Sequence, residues 1–390
     1  MVGNSPIVAS AITDLIDKKR VLIVAGAGGV GKTTTSAAIS VLGARRGKRV
    51  LCLTIDPAKR LAESLGISDM SSEAREVDRA RFEAAGMQMP GSLTAMMLDT
   101  KRTFDELVTK YSSTPKKAEK LLQNKLYQYI STSLAGTQEY MAMEKLAAVK
   151  NDPRYDLIVL DTPPTANALD FLDAPERLTE ALDSAAMRWF VEAFQSSGKF
   201  SLNIIAKGAA AVLRGIGKIT GGGFLEAISE LIAELNDLFG GFKERAAMVQ
   251  KSLRADDVSF VLVAAPSPPS IREAIFFAER LTEANMPRGA FIVNRFHLPP
   301  AEPKGISLED ARRGIAQRKL ALEDDAAERL LTAHKEMGQL ASFDAFHVEK
   351  LAERLGANVP MLKIPALSSD VHDLTLLGQI ADAIEAGGVH

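Results

Sequence analysis

Three observations predict an α/β fold with a mostly parallel, doubly wound sheet flanked by helices. Short apolar runs without polar alternation recur along the chain, helix-favouring segments separate them, and a glycine-rich loop follows the first run directly. Continuous apolar runs mark strands covered on both faces, as a parallel sheet between helix layers requires. Their alternation with helical segments is the doubly wound pattern.

Taken in order, residues 1–20 space Ile7, Val8, Ile12, Leu15 and Ile16 as an amphipathic helix does. They lack the basic start and apolar block of a signal peptide. Strands are expected at 21–25, 50–55, 93–98, 157–160, 260–263, 291–293 and 361–364. Helices are expected at 34–42, after the loop, and at 58–65. Between 172 and 257 the strand signal vanishes, and the chain turns helical, glycine-spaced and apolar. The expected organisation is a core begun by 1–172, an apolar helical subdomain at 173–257, and a return to the core at 258–390 with a polar helical excursion at 299–339.

Bulk properties bound the function. Lys plus Arg (47) nearly balance Asp plus Glu (49) over 390 residues, so the basic footprint of a nucleic-acid binder is missing. The single cysteine, Cys52, sits in an apolar run, which leaves no disulfide framework and no Cys-x-x-Cys clamp, and suits a reducing cytoplasm. The apolar stretch 202–217 is interrupted by Lys207 and Arg214 and falls short of the roughly 18 residues a membrane span needs. A cytoplasmic location is expected, with peripheral attachment at a membrane compatible with it.

The loop Gly26-Ala27-Gly28-Gly29-Val30-Gly31-Lys32-Thr33 fits the G-x-x-x-x-G-K-[ST] pattern between a strand and a helix. The glycines let backbone amides, through Thr34, turn toward phosphates, and the helix adds its positive end. Lys32 supplies a charge near the outer phosphates, and Thr33 a hydroxyl for Mg²⁺. Gly26, Gly28 and Gly31 also fit the dinucleotide fingerprint, with Asp56 where a ribose-binding acid would sit. Gly31-Lys32-Thr33 together with Asp161, an acid ending a later apolar strand, decides for a nucleoside triphosphate in a P-loop NTPase fold.

Asp56 opens the segment DPAKRL and Asp161 the segment DTPPTANAL. With the loop GAGGVGKTTTS, these resemble the family of arsenical pump-driving and tail-anchored-protein targeting ATPases, from Val21 to about Leu377. The segments LTIDPAKRL and TQEYMAMEK are most similar to actinobacterial paralogues. The resemblance implies Mg-ATP hydrolysis by a dimer that acts as a molecular switch on a hydrophobic protein client or a membrane pump. It implies that Asp56 activates the attacking water and contributes to the metal site, that Asp161 organises Mg²⁺ with Thr33, that Asn294 reads adenine, and that residues 365–373, opened by Pro365, close over the base. It also implies a switch or dimer contact for Glu139. Read from the residues alone, Asp56 also suits a helix N-cap, Asp161 and Asn294 suit turns, and Glu139 a solvated helix.

Departures from the family pattern qualify this. Ala27 stands where the family has a signature lysine that reaches the partner's ATP, which implies slow turnover unless Lys59, Arg60 or a lysine-bearing paralogue in a heterodimer replaces it. Asn167 replaces a switch histidine. Without the family's paired cysteines no zinc is expected, and with one P-loop per chain two chains are needed for two sites. The alternative function is a catalytically weak nucleotide-binding subunit that regulates a paralogue or pump. Apolar stripes at 187–194 and 224–239 fit either a client groove or ordinary internal packing.

Overall fold

The computed structural model describes residues 6–55, 60–67, 72–124, 127–128, 131, 137–162, 244–301, 306–356 and 359–388. The chain divides into two compact units, Met1–Met97 with Pro153–Ala166 and Asp256–His390, and Leu98–Asp152 with Asn167–Ala255.

The first unit holds the sheet. Its strands are β1 (Val21–Gly26), β2 (Arg49–Thr54), β3 (Arg75–Glu76), β4 (Ser92–Met97), β5 (Leu157–Asp161), β6 (Val258–Ala264), β7 (Arg288–Phe296) and β8 (Met361–Pro365). Among the described residues they lie in the order β3-β4-β2-β5-β1-β6-β7-β8. All neighbours are parallel except β3 with β4. The seven longer strands are those expected from the apolar runs, and every residue of β1, β5 and β6 is buried. Short, polar β3 was not foreseen. It is joined to the sheet edge by backbone pairing of Arg75 and Glu76 with Ala95 and Thr94, which needs no apolar side chains.

Strand order reverses around β1. The chain builds outward through β2 and β4, returns to β5, and then crosses to β6, β7 and β8. Ligands of open α/β sheets bind at the carboxyl ends beside such a reversal. Helix α1 (Pro6–Lys18) buries Ile12 and Ile16 in the core, and α2 (Lys32–Arg45) packs on β2 and β5. Ile39 and Leu42 of α2 are fully buried, each contributing about 1.5–3 kcal/mol over an exposed position. The short α3 (Arg60–Ser64) buries Leu61, and α4 (Arg79–Ala84), capped by Asp78, buries Phe82.

The second unit begins with α5 (Thr100–Tyr111). Asp99, the acid that ends the expected strand at 93–98, accepts from the amide of Arg102 as the N-cap of α5, a structural role. α6 (Pro115–Gln123) is capped by Thr114, and α7 (Thr137–Lys150) carries buried Glu144, which accepts from Arg245 Nε at 2.6 Å. Burial pushes the Glu144 carboxyl above its ordinary range, against the opposing pull of Arg245. Residues 163–243, including Asn167 and both apolar stripes, lie outside the described residues.

Back in the first unit, α8 (Pro268–Glu283) follows β6, and α9 (Leu308–Gln317) and α10 (Ala326–Leu355) follow β7. The helical excursion expected at 299–339 thus runs on to Leu355, because apolar residues recur along α10 well beyond Gln339. α11 (Leu374–Glu385) packs on α2. No helix among the described residues is long and apolar enough to cross a membrane.

Candidate functional site

The loop after β1 owes its shape to two left-handed glycines, Gly29 at φ 75° and Gly31 at φ 91°, and Gly31 forms the N-cap of α2 without a side-chain cap bond. Positive φ suits glycine and strains other residues. A Cβ at Gly31 would collide with the Asn294 amide, and one at Gly26 with the Val263 carbonyl. At these two positions the backbone is therefore packed too closely for any side chain, whereas Gly29 is required by its φ alone. Lys32 is nearly buried, and its Nζ donates to the carbonyl of Ala27 at 2.8 Å, across the turn of the loop.

Register brings the acid of β5 to the same place. Asp161 pairs with Val24 of β1 and with Thr54 of β2. Its side chain is fully buried and accepts from Thr33 Oγ1 at 2.8 Å, Thr54 Oγ1 at 3.0 Å and Ser36 Oγ at 3.4 Å. Three hydroxyls, two from α2 and one from β2, hold a buried carboxylate that water does not reach. Thr162, next along, donates its hydroxyl to the Val24 carbonyl at 2.9 Å. Behind this cluster, burial above all pushes the Cys52 thiol up to about 12, against the opposing Ser40 hydrogen bond and with a smaller push from the Asp161 charge. That sulfur stays protonated and unreactive.

On the other side of β1, the end of β7 reaches the loop. Asn294 is buried and donates from Nδ2 to the Val30 carbonyl at 2.9 Å. The Ala366 amide, just past Pro365, donates to the Phe296 carbonyl at 2.9 Å. A cavity of about 950 Å³ opens between these parts, lined by the loop, by Thr162, by the end of β7 and by residues 365–372.

The structure thus gathers Gly29, Gly31, Lys32, Thr33, Thr34, Asn294 and Pro365 around one cavity, with Asp161 under its floor through Thr33. Gly26, Gly28 and Val30 complete the loop. Asp56 and Lys59 lie outside the described residues, and Arg60 begins α3. Sequence reasoning missed two residues at the mouth. Arg295 has φ 59° and lines the cavity. His297 is anchored by Asp344 of α10, whose Oδ2 lies 2.8 Å from the His297 amide and 2.7 Å from its Nδ1. A basic residue directly after an asparagine at the end of a strand was the available signal for Arg295. None marked Asp344, which meets its partner only through tertiary packing.

The residues fit a nucleotide with a divalent ion. The cradle admits no Cβ at Gly26 or Gly31, one ammonium sits within the loop, and a hydroxyl and a buried carboxylate of the kind that organises Mg²⁺ stand 2.8 Å apart.

Comparison with known proteins agrees with this chemistry. The family described as anion-transporting ATPase matches residues 19–330. The chain is 27% identical over 305 residues to a protein named ATPase get3 from Aspergillus terreus, covering 77% of this chain and 80% of the relative. It is likewise 27% identical over 329 residues to ATPase get3 from Aspergillus niger, covering 82% and 86%. A third relative, ATPase GET3 from Paracoccidioides lutzii, is 27% identical over 315 residues, covering 79% and 82%.

Proposed function

Because the chain belongs to the anion-transporting ATPase family and so hydrolyses ATP, we propose that it works as a dimeric molecular switch, coupling Mg-ATP binding and hydrolysis to a protein or membrane-associated client. The observation that carries the nucleotide chemistry is the Thr33–Asp161–Thr54 network under a loop closed around Lys32. It joins the phosphate loop to the carboxyl ends of β2 and β5, the strands that lead into the segments opened by Asp56 and Asp161.

In this reading the loop amides and Lys32 bind the phosphate chain. Exchanging its bond to the Ala27 carbonyl for a phosphate oxygen would carry the Lys32 charge into the cradle without moving the backbone. Thr33 would ligate Mg²⁺, and Asp161 would orient that hydroxyl and the ion's water shell, with Asp56 contributing to the same shell. When bound, Mg²⁺ supplies neutralisation of charge on the outer phosphates. Asp56 orients the attacking water and takes up its proton. Asn294, with Pro365 and the residues after it, holds the base side. Two chains supply two sites, and the apolar stripes at 187–194 and 224–239 would form the client surface.

Ala27 supports a second reading, a weakly catalytic subunit that regulates a lysine-bearing paralogue or a pump. That position offers only a methyl group where a cation would serve the transferred phosphoryl group. Single-turnover hydrolysis separates the two. Lys32→Ala should abolish nucleotide binding or turnover in both, whereas Asp56→Asn should slow the chemical step only if this chain catalyses its own hydrolysis. Unchanged single-turnover rates in Asp56→Asn would select the regulatory subunit.

A further inference from the structure

We infer that Arg295 is a positioning residue for the phosphate chain of the bound nucleotide, delivered to the loop by a bulge in β7. The inference rests on the nucleotide reading above and adds a cation to that site.

Along a regular strand successive side chains point to opposite faces, so Asn294 and Arg295 should diverge. They do not. Asn294 Nδ2 reaches the Val30 carbonyl at 2.9 Å, and Arg295 Nη1 lies 3.4 Å from the carbonyl of the adjacent Gly29. The register of β7 on β8 shifts between Val293 and Phe296, and Arg295 within that shift is left-handed. A bulge of this kind re-aims a side chain beside a site. The strain falls on arginine although asparagine, which tolerates the left-handed region better, stands one position earlier. Strain kept at such a position calls for a reason in what the side chain reaches.

What it reaches is the mouth of the cavity that Lys32 and Thr33 line. Both of its polar contacts are long, 3.4 Å to Gly29 and 3.5 Å to Asp370 Oδ1, and the side chain is 57% exposed. A guanidinium has five N–H donors in a planar fork that matches phosphate oxygens. Two long contacts leave most of that capacity to a ligand, while they hold the group at the loop in advance. The competing account is that Arg295 merely pins residues 365–372 through Asp370. An exposed pair at that distance contributes little and does not require a left-handed arginine.

The full chain tests this by calorimetric titration with Mg-ADP and by competition of tripolyphosphate, which has no base, against a fluorescent ADP. Arg295→Ala should weaken both by about tenfold, the scale of a charge-assisted contact, and Arg295→Lys should restore part of the loss. Arg295→Gly should match Arg295→Ala in affinity while melting at or above the wild-type temperature, since glycine accepts the backbone conformation; this separates loss of contact from loss of fold. The proposal is overturned by unchanged ADP affinity in Arg295→Ala, or by weaker ADP binding with equal tripolyphosphate competition in variant and wild type, the mark of a loop pin. Failure of wild type itself to bind ADP would instead remove the nucleotide reading.

Discussion

Strand β5 has an acid at each end, and the two are held in opposite ways. Asp156, just before its first residue, is open to solvent and meets Arg49 through Nε at 2.9 Å and Nη2 at 2.7 Å. Asp161, its last residue, is fully buried and is met by the hydroxyls of Thr33, Ser36 and Thr54. A surface acid matched by a full opposite charge closes a strand pair and has little left to offer. Neutral hydroxyls orient a carboxylate without cancelling its charge, and on the proposed function that charge serves a metal ion. The contrast teaches that type of partner, more than distance, separates a stitch from a site.

The largest effect should come from the carboxyl end. Asp161→Asn keeps the shape and removes the charge, so Mg²⁺-dependent ATP hydrolysis should fall by about 10–100-fold, as for groups that support a metal's ligands. Steady-state turnover across a Mg²⁺ titration reads this directly. Wild-type activity in the variant would place Asp161 in the same structural class as Asp156.

A smaller effect belongs to the hydroxyls themselves. Thr54→Val keeps the volume on β2 but leaves Asp161 Oδ2 without one donor, which should cost about 1–2 kcal/mol. Thermal melting of variant and wild type measures it, and an unchanged melting point would mean that Thr33 and Ser36 suffice to hold the carboxylate.

This contrast also shows what was legible in the sequence. Asp161 could be read because it directly follows four apolar residues, and the phosphate loop because its pattern is contiguous and sits between a strand and a helix. The seven longer strands were visible because a strand buried on both faces must be apolar throughout. Features made by register or distant pairing were not legible. β3 is two polar residues held by backbone bonds, the left-handed turn at Arg295 depends on how β7 meets β8, and Asp344 finds His297 only when α10 crosses the end of β7. Asp99 shows how little the position of an acid says by itself. It lies two residues past β4, after an apolar run like the one before Asp161, yet its carboxylate accepts from the Arg102 amide and caps the next helix.

The smallest effect should appear at the amino end of β5 and should depend on pH in a defined sense. The Arg49 hydrogen bonds draw the Asp156 carboxyl from the usual 3.8 down to about 2. An acid whose folded pKa lies below its unfolded value adds stability that is complete above the unfolded value and is lost as pH falls through the folded one. Arg49→Ala should therefore lower the melting temperature at pH 7 by less than Thr54→Val does, since exposed pairs contribute little. The deficit should hold down to about pH 4 and shrink as pH falls toward 2. The variant retains the amide of residue 49, which donates to Asp156 Oδ2 at 2.9 Å, so only the guanidinium's share is removed. Melting curves at intervals between pH 7 and pH 3 would follow it. A deficit that grew on acidification would mean that Arg49 does not hold the Asp156 carboxyl down, and one that exceeded the cost of Thr54→Val at neutral pH would mean that the surface acid supports the fold more strongly than the buried network does.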